Sequence, residues 1–124
     1  MTPHLSTVAI LGASEKTTRY AYKAQALLME KGYKVIPVSA KGKPILGIDS
    51  VTTIDQIQES VDTVTLYVGP AALTPMLPAL IALAPRRVIF NPGTEDVRAQ
   101  AQLAAAGIKV DIACTLVLLR TRQF

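Results

Sequence analysis

A chain of 124 residues, 50% of them hydrophobic, is long enough for one packed domain over residues 1–124, too short for two and too apolar to stay disordered. The net charge is +4, but the basic residues are scattered and aromatic residues do not alternate with them, which argues against nucleic acid as a partner. The longest apolar stretch, residues 71–84, is interrupted and too short to cross a membrane. The single cysteine excludes an internal disulfide, and residues 1–7 lack a secretory pattern, so a cytoplasmic location is expected.

The predicted elements alternate between strands and helices. The apolar run at 8–11, which stops at Gly12, predicts a buried strand, and the helical pattern after it ends near Gly32. The other predicted strands are 35–38, 61–68, 87–90 and 108–112. The other predicted helices are a short one over 53–59, one that begins with Thr74 as N-cap and Pro75 as first residue, and one over 94–106. Residues 114–119 form either a terminal helical turn or an extended tail.

Two of these helices have apolar positions that predict their buried faces. In the first helix the face consists of Tyr20, Ala24, Leu27 and Leu28, and in the helix over 94–106 it consists of Val97, Ala101, Ala104 and Ala105.

This alternation predicts an α/β fold of the three-layer, Rossmann-like type, with a mostly parallel five-stranded sheet, helices on both faces and the first strand central. Ligands of such sheets bind outside the carboxyl ends of the strands, near the point where the strand order reverses. The loops that follow the predicted strands are therefore the expected location of any functional site.

The strongest local signal is the tripeptide Gly12-Ala13-Ser14 between the first strand and the first helix. Gly12 permits a sharp turn, and the N–H groups after it, together with the Ser14 hydroxyl, are suited to hold a phosphate at the helix N-terminus. Lys16 and Arg19 add positive charge there, whereas Glu15 opposes an anion unless it points outward. The alternative is a tight turn in which Ser14 is only the N-cap of the helix.

The loop is not a dinucleotide fingerprint, because glycines would be needed at positions 12, 14 and 17 and only Gly12 is present. The second strand also lacks the terminal acid that holds a ribose diol. It ends at Val38 and is followed by Ser39 and then by Lys41 and Lys43, which suit a ribose that carries a phosphate. Coenzyme A has a 3′-phosphate and NADP a 2′-phosphate, so this feature excludes neither; the lysines are otherwise part of a solvated loop.

The segment Asn91-Pro92-Gly93 after the fourth strand predicts a turn into a helix whose first residues are acidic. Asn91 is a candidate to hydrogen-bond an amide or carbonyl in an extended ligand arm, and the alternative is that it caps its own backbone.

Catalytic groups are scarce. The one histidine, His4, lies in a terminus expected to fray, and no nucleophile–base set or metal cluster can be assembled, so neither catalytic nor metal-binding residues are predicted. Cys114 follows the fifth strand, at the expected ligand edge, either as a small buried residue or as a thiol on the rim of the cleft.

Taken in order, six segments resemble the stand-alone CoA-binding domain family, which is similar to the nucleotide-binding domain of succinyl-CoA synthetase α subunits. They are residues 8–14, 19–22, 32–38, 61–64, 91–94 and 113–117. The resemblance implies that the pyrophosphate of coenzyme A lies on the Gly12–Ser14 loop, with basic contacts near Arg19 and Lys41. It also implies ligand contacts near Val68 and Gly69 and at Asn91-Pro92-Gly93. The adenosine end would lie near Val38 and Ser39, where many members carry Val-Asn-Pro instead of Val38-Ser39-Ala40.

The leading hypothesis is therefore a binding module for coenzyme A or an acyl-CoA that has no catalysis of its own, acting alone, with a protein partner or as a homo-oligomer. The competing hypothesis is an NADP-linked oxidoreductase domain or subunit. A third is a partner-docking domain that binds no nucleotide.

Overall fold

The structure, a computed structural model, describes residues 6–124, and its sheet contains five parallel strands in the order β2-β1-β3-β4-β5. The strands are β1 (Thr7–Leu11), β2 (Lys34–Val38), β3 (Thr63–Leu66), β4 (Arg87–Phe90) and β5 (Lys109–Ile112). The predicted five-stranded parallel sheet is confirmed. The expectation that the first strand is central is wrong: β3 lies in the middle, because the chain adds β2 on one side of β1 and three strands on the other.

Helices cover both faces of the sheet, as predicted. They are α1 (Tyr20–Glu30), α2 (Pro70–Leu73), α3 (Leu77–Leu83), α4 (Val97–Ala105) and α5 (Thr115–Arg120). On one face, α1 and α5 pack Leu28 and Leu119 against Val8 and Ile10 of β1. On the other, α2, α3 and α4 bury Leu73, Leu80 and Leu103 against Leu11, Leu66 and Phe90. Residues 115–120 form a helix, which decides between the two alternatives for the C-terminal segment.

The buried faces of α1 and α4 differ from the predicted ones. In α1 the buried residues begin at Ala21 and include Ala24 and Leu28, whereas Tyr20 is 68% exposed because it is the first helical residue and stands at the open end of the helix. In α4 only Ala99 and Leu103 are buried, and Val97 is 81% exposed. Alanines occur on every side of this helix. Its one leucine, Leu103, lies four residues after Ala99 and determines which face packs against the sheet.

The helical segment after β3 begins earlier than predicted. Helix α2 starts at Pro70 with Gly69 as N-cap, and the Thr74 hydroxyl donates to the Pro70 carbonyl at 3.0 Å instead of capping a helix. A 3₁₀ turn, Thr74–Met76, then leads into α3. Prolines explain the division, because Pro75 and Pro78 have no N–H to continue an α-helical ladder. The helix predicted over 53–59 is reduced to a 3₁₀ turn, Ile54–Gln56.

Strand order reverses between β1 and β3, since the chain leaves the edge at β2 and crosses β1 to build the rest of the sheet. A crevice is expected at the carboxyl ends of strands on either side of such a reversal. The loops after β1, β2, β3, β4 and β5 meet along that edge.

Candidate functional site

Three cavities form a continuous groove along the carboxyl edge of the sheet. We call them the lysine cavity (about 260 Å³), the helix-end cavity (about 350 Å³) and the apolar cavity (about 220 Å³). The first two share Gly12, Ser14 and Lys41, and the last two share Tyr20 and Tyr67. The groove therefore suits an elongated ligand, and its three parts differ in chemistry.

The turn at Gly12 is built by two backbone bonds and one close contact. The N–H groups of Gly12 and Ala13 both donate to the Val38 carbonyl, at 3.1 and 3.0 Å. Gly12 has φ of +88°, and a Cβ at this position would lie 2.8 Å from the carbonyl oxygen of Tyr67. These two N–H groups therefore hold the turn and are not available to a ligand, whereas the N–H groups of Ser14 and Glu15 have no acceptor within residues 6–124.

Ser14 does not cap the first helix, so that alternative is wrong. Its hydroxyl oxygen accepts the N–H of Lys16 at 3.1 Å, and α1 begins six residues later with Arg19 as N-cap. The Arg19 side chain makes no capping bond and the first turn of α1 contains no acid, so the N–H groups there remain open toward the helix-end cavity. This end of the helix and the Ser14 loop face the same space.

Positive charge is concentrated around this space. Lys16, Arg19 and Lys41 line the helix-end cavity, and Lys41 and Lys43 line the lysine cavity. None of the four forms an ion pair with a side chain in the described part of the chain. Glu15 also lines the lysine cavity and partly opposes these charges. The balance favours an anion.

The loop after β2 forms the outer wall of the lysine cavity. The Ser39 N–H donates to the Val51 carbonyl at 2.9 Å, and buried Gln25 of α1 donates to the Ile45 carbonyl at 2.9 Å, which ties the loop to both the sheet edge and the helix. Ser39 and Ile45 line the cavity. The side chain of Val38 is buried in the core on the other face of the sheet, so this residue supports the site through its carbonyl.

Asn91 is the centre of a buried polar network. Its side-chain N–H₂ group donates to the Thr65 hydroxyl at 2.6 Å and to the Leu66 carbonyl at 2.8 Å, and its side-chain oxygen accepts the N–H of Thr115 at 2.9 Å. The hydroxyls of Thr65 and Thr115 are 2.7 Å apart. Both amide hydrogens of Asn91 are thus used within the protein, which leaves none for a ligand arm. The alternative prediction, in which the side chain caps its own backbone, is also wrong, because these hydrogen bonds join it to β3 and to the start of α5.

The apolar cavity lies above this network. Tyr20, Tyr67, Pro92, Cys114 and Leu116 form its walls together with Asn91. Burial raises the pKa of the half-buried Tyr67 hydroxyl, although hydrogen bonds with Thr115 and Thr65 act in the opposite direction, so the phenol stays protonated at neutral pH. Cys114 is partly buried and has a free thiol, so it lies on the wall of the groove.

The structure brings most of the predicted site residues to one groove. Those that line it are Gly12, Ala13, Ser14, Lys16, Arg19, Ser39, Lys41, Asn91, Pro92 and Cys114. Val38, Val68, Gly69 and Gly93 do not line it. Gly93 instead donates its N–H to the Glu95 carboxylate at 2.7 Å, and Gly69 is the exposed N-cap of α2.

Three residues of the apolar cavity, Tyr20, Tyr67 and Leu116, were not predicted to lie at the site. The helical spacing predicts Tyr20 on the core face of α1, and the strand predicted over 61–68 includes Tyr67, although β3 in fact ends at Leu66. The signal that could have identified them is position, since each follows or precedes a loop at the carboxyl edge.

Within residues 6–124, no three His, Cys, Asp or Glu side chains come together to hold a metal ion. His4 lies outside the described residues. None of the helices in residues 6–124 has the length and apolar character needed to cross a bilayer.

Comparisons with known proteins identify a family and a shared fold. A family model for the CoA binding domain matches residues 6–120. A solved structure of an uncharacterized protein is 41% identical, with a TM-score of 0.92 over 97% of this chain and 98% of that one. A protein from Thermus thermophilus is 32% identical, with a TM-score of 0.88 over 97% of this chain and 91% of that one.

The dinucleotide-forming acetyl-coenzyme A synthetase 1 of Ca. Korarchaeum cryptofilum, solved with phosphate and ADP, is 14% identical. Its TM-score is 0.73 over 85% of this chain and 25% of that one, so this likeness concerns the fold alone.

Proposed function

Because this chain belongs to the CoA-binding domain family, we propose that it binds coenzyme A or an acyl-CoA along the groove without catalysing a reaction by itself. The observation that carries this proposal is the sequence of three cavities, with cations in the first two and apolar walls in the third. Coenzyme A has the same order of chemistry, since its phosphates lie at the nucleotide end and its arm is uncharged.

The positions of the charges support one direction for the ligand in the groove. The adenosine 3′-phosphate fits the lysine cavity beside Lys41 and Lys43. The pyrophosphate fits the helix-end cavity, which Ser14, the N-terminus of α1 and the side chain of Arg19 line together. The arm then passes Tyr67 and ends in the apolar cavity near Cys114.

NADP is the competing ligand, because its 2′-phosphate would also suit the two lysines. The apolar cavity favours coenzyme A over NADP. A nicotinamide needs hydrogen-bond partners for its carboxamide, but the amide hydrogens of Asn91 are used within the protein. Titration calorimetry with coenzyme A, NADP and NAD tests this proposal. Binding of coenzyme A but not NADP is expected; tight NADP binding alone would favour the oxidoreductase, and no binding of any of the three would favour the partner-docking domain.

The role of the lysines is tested by removing the phosphate they are proposed to hold. We expect the double substitution Lys41→Ala with Lys43→Ala to weaken coenzyme A binding about tenfold, the sum expected for two exposed ion pairs. Dephospho-CoA, which lacks the 3′-phosphate, should lose much less. Lys31→Ala is the matched control, since Lys31 is exposed at the other end of α1 and outside the groove.

Equal losses for coenzyme A and dephospho-CoA in the double variant would show that the lysines do not hold the 3′-phosphate.

The position of Cys114 leads to a further prediction. If the arm ends in the apolar cavity, the Cys114 thiolate attacks one sulfur of CoA disulfide, forms a mixed disulfide and releases one molecule of CoA thiol. Intact-mass spectrometry should then show one CoA adduct on the native chain and none on Cys114→Ser. If the native protein binds coenzyme A but forms no adduct, Cys114 is a packing residue and the arm ends elsewhere.

A further inference from the structure

The end of the groove that would receive the reactive end of the ligand has a distinct chemistry. The apolar cavity is lined by Tyr20, Tyr67, Asn91, Pro92, Cys114 and Leu116, none of them charged. We propose that this cavity selects short, uncharged acyl groups, so that the preferred ligand is a short-chain acyl thioester of coenzyme A and not free coenzyme A or a dicarboxylic acyl-CoA. The inference rests on the proposed function and goes beyond it by naming the ligand class.

The polar groups beneath the cavity are already paired. Thr65 and Thr115 hydrogen-bond to each other, and both amide hydrogens of Asn91 go to Thr65 and Leu66. The surface that an acyl group would contact in this cavity is therefore chiefly that of aromatic, proline and leucine side chains. Burying an apolar group against such surface is favourable, whereas burying a carboxylate without a partner is costly.

The cations lie in the other two cavities. Lys16 and Arg19 line the helix-end cavity, Lys41 lines both basic cavities, and none of them lines the apolar cavity. Arg19 and Lys41 are also among the residues proposed to hold the phosphates. A carboxylate at the end of the acyl chain would thus have no cation in this cavity to offset its desolvation.

The volume limits the chain length. A cavity of about 220 Å³ has room for roughly seven groups the size of a water molecule. The end of the arm, which consists of an amide nitrogen, two methylenes and sulfur, takes about half of that space. What remains fits only a short acyl group, and a long fatty chain would extend into solvent past the exposed Tyr20.

Butyryl-CoA and succinyl-CoA form the sharpest test, because their acyl groups have the same number of carbons and differ in a terminal methyl or carboxylate. We expect butyryl-CoA to bind the native protein about tenfold more tightly than free coenzyme A, and succinyl-CoA to bind no better than free coenzyme A. Palmitoyl-CoA should gain nothing over butyryl-CoA in the same calorimetric titration.

A cation placed at the cavity should change this order. Pro92 is exposed on the cavity rim, so Pro92→Lys is expected to fold and to reduce the preference for butyryl-CoA over succinyl-CoA at least about threefold. Gln102→Lys adds the same charge on an exposed position of α4 outside the groove, and should leave the ratio unchanged.

Two outcomes separate this inference from the function on which it rests. If the native protein binds coenzyme A but binds succinyl-CoA as tightly as butyryl-CoA, the acyl selectivity is refuted and the proposed function stands. If no CoA compound binds, both are refuted.

Discussion

Replacing Gly12 with valine is expected to lower the affinity for coenzyme A at least ~100-fold, which corresponds to about 3 kcal/mol. Gly12 has φ of +88°, and a Cβ would lie 2.8 Å from both the Tyr67 carbonyl oxygen and Cγ1 of Val68. The unfavourable conformation costs an L-residue about 1–2 kcal/mol, and the overlap with backbone forces the turn to move. Because the Val38 carbonyl holds both Gly12 and Ala13, such a movement displaces the phosphate-facing amides as well.

The measurement is titration calorimetry on the folded variant, with denaturant unfolding to separate a loss of binding from a loss of stability. Gly69→Ala is the control, since Gly69 has an ordinary φ of −75° and no atom lies within 4 Å of a Cβ there. It should change the affinity less than about twofold. If folded Gly12→Val bound normally, the phosphates would lie away from this turn; if Gly69→Ala weakened binding, the ligand would extend beyond the groove to the N-terminus of α2.

The sequence allowed strands β1 and β4 to be predicted well because they are buried on both faces. The run at 87–90 is the observed strand β4, and the run at 8–11 lies within β1. Continuous apolar runs between glycines and polar loops leave few alternatives in such a sheet. The order of the strands was less accessible, since it depends on which side of β1 the chain returns to after β2.

Helix faces were harder to predict because apolar residues are abundant around them. Val97 and Tyr20 are hydrophobic and fit the helical spacing, yet both are exposed. Conversely, Gln25 is fully buried because its side chain holds the Ile45 carbonyl, a partner 20 residues away that no local pattern reveals. Hydrophobic periodicity identifies the helix, but tertiary partners decide its orientation.

At the groove, the sequence predicted the positions of the loops better than the hydrogen bonds that their polar groups make. The loops after β1, β2, β4 and β5 do meet, because all carboxyl ends of a parallel sheet share one edge. The hydrogen bonds could not be foreseen: the Gly12 and Ala13 amides bind Val38, and the Asn91 amide binds its neighbours in the fold. Each of these groups was a reasonable ligand donor until its internal partner was known.

Asn91→Ala is expected to lower the free energy of unfolding by about 2–4 kcal/mol, because it removes three buried hydrogen bonds and leaves the Thr115 N–H without its acceptor. The orientation of the amide is fixed by chemistry: the Leu66 carbonyl can only accept and the Thr115 N–H can only donate. Asn91→Asp should therefore also destabilise the protein, since it places an oxygen where the Leu66 carbonyl needs a donor.

Urea unfolding of the variants checks this prediction, with Gln102→Ala as the control that removes an exposed amide and should change stability by less than about 0.5 kcal/mol. Affinity for coenzyme A should fall with Asn91→Ala as well, because the amide fixes the ends of β3 and β4 to the start of α5, and Pro92 and Leu116 of the apolar cavity follow these points. A variant with native stability and weakened binding would instead identify Asn91 as a direct contact of the ligand arm. The first role predicts a loss of stability and the second predicts none. The unfolding experiment therefore distinguishes a residue that shapes the cavity from one that contacts the ligand arm.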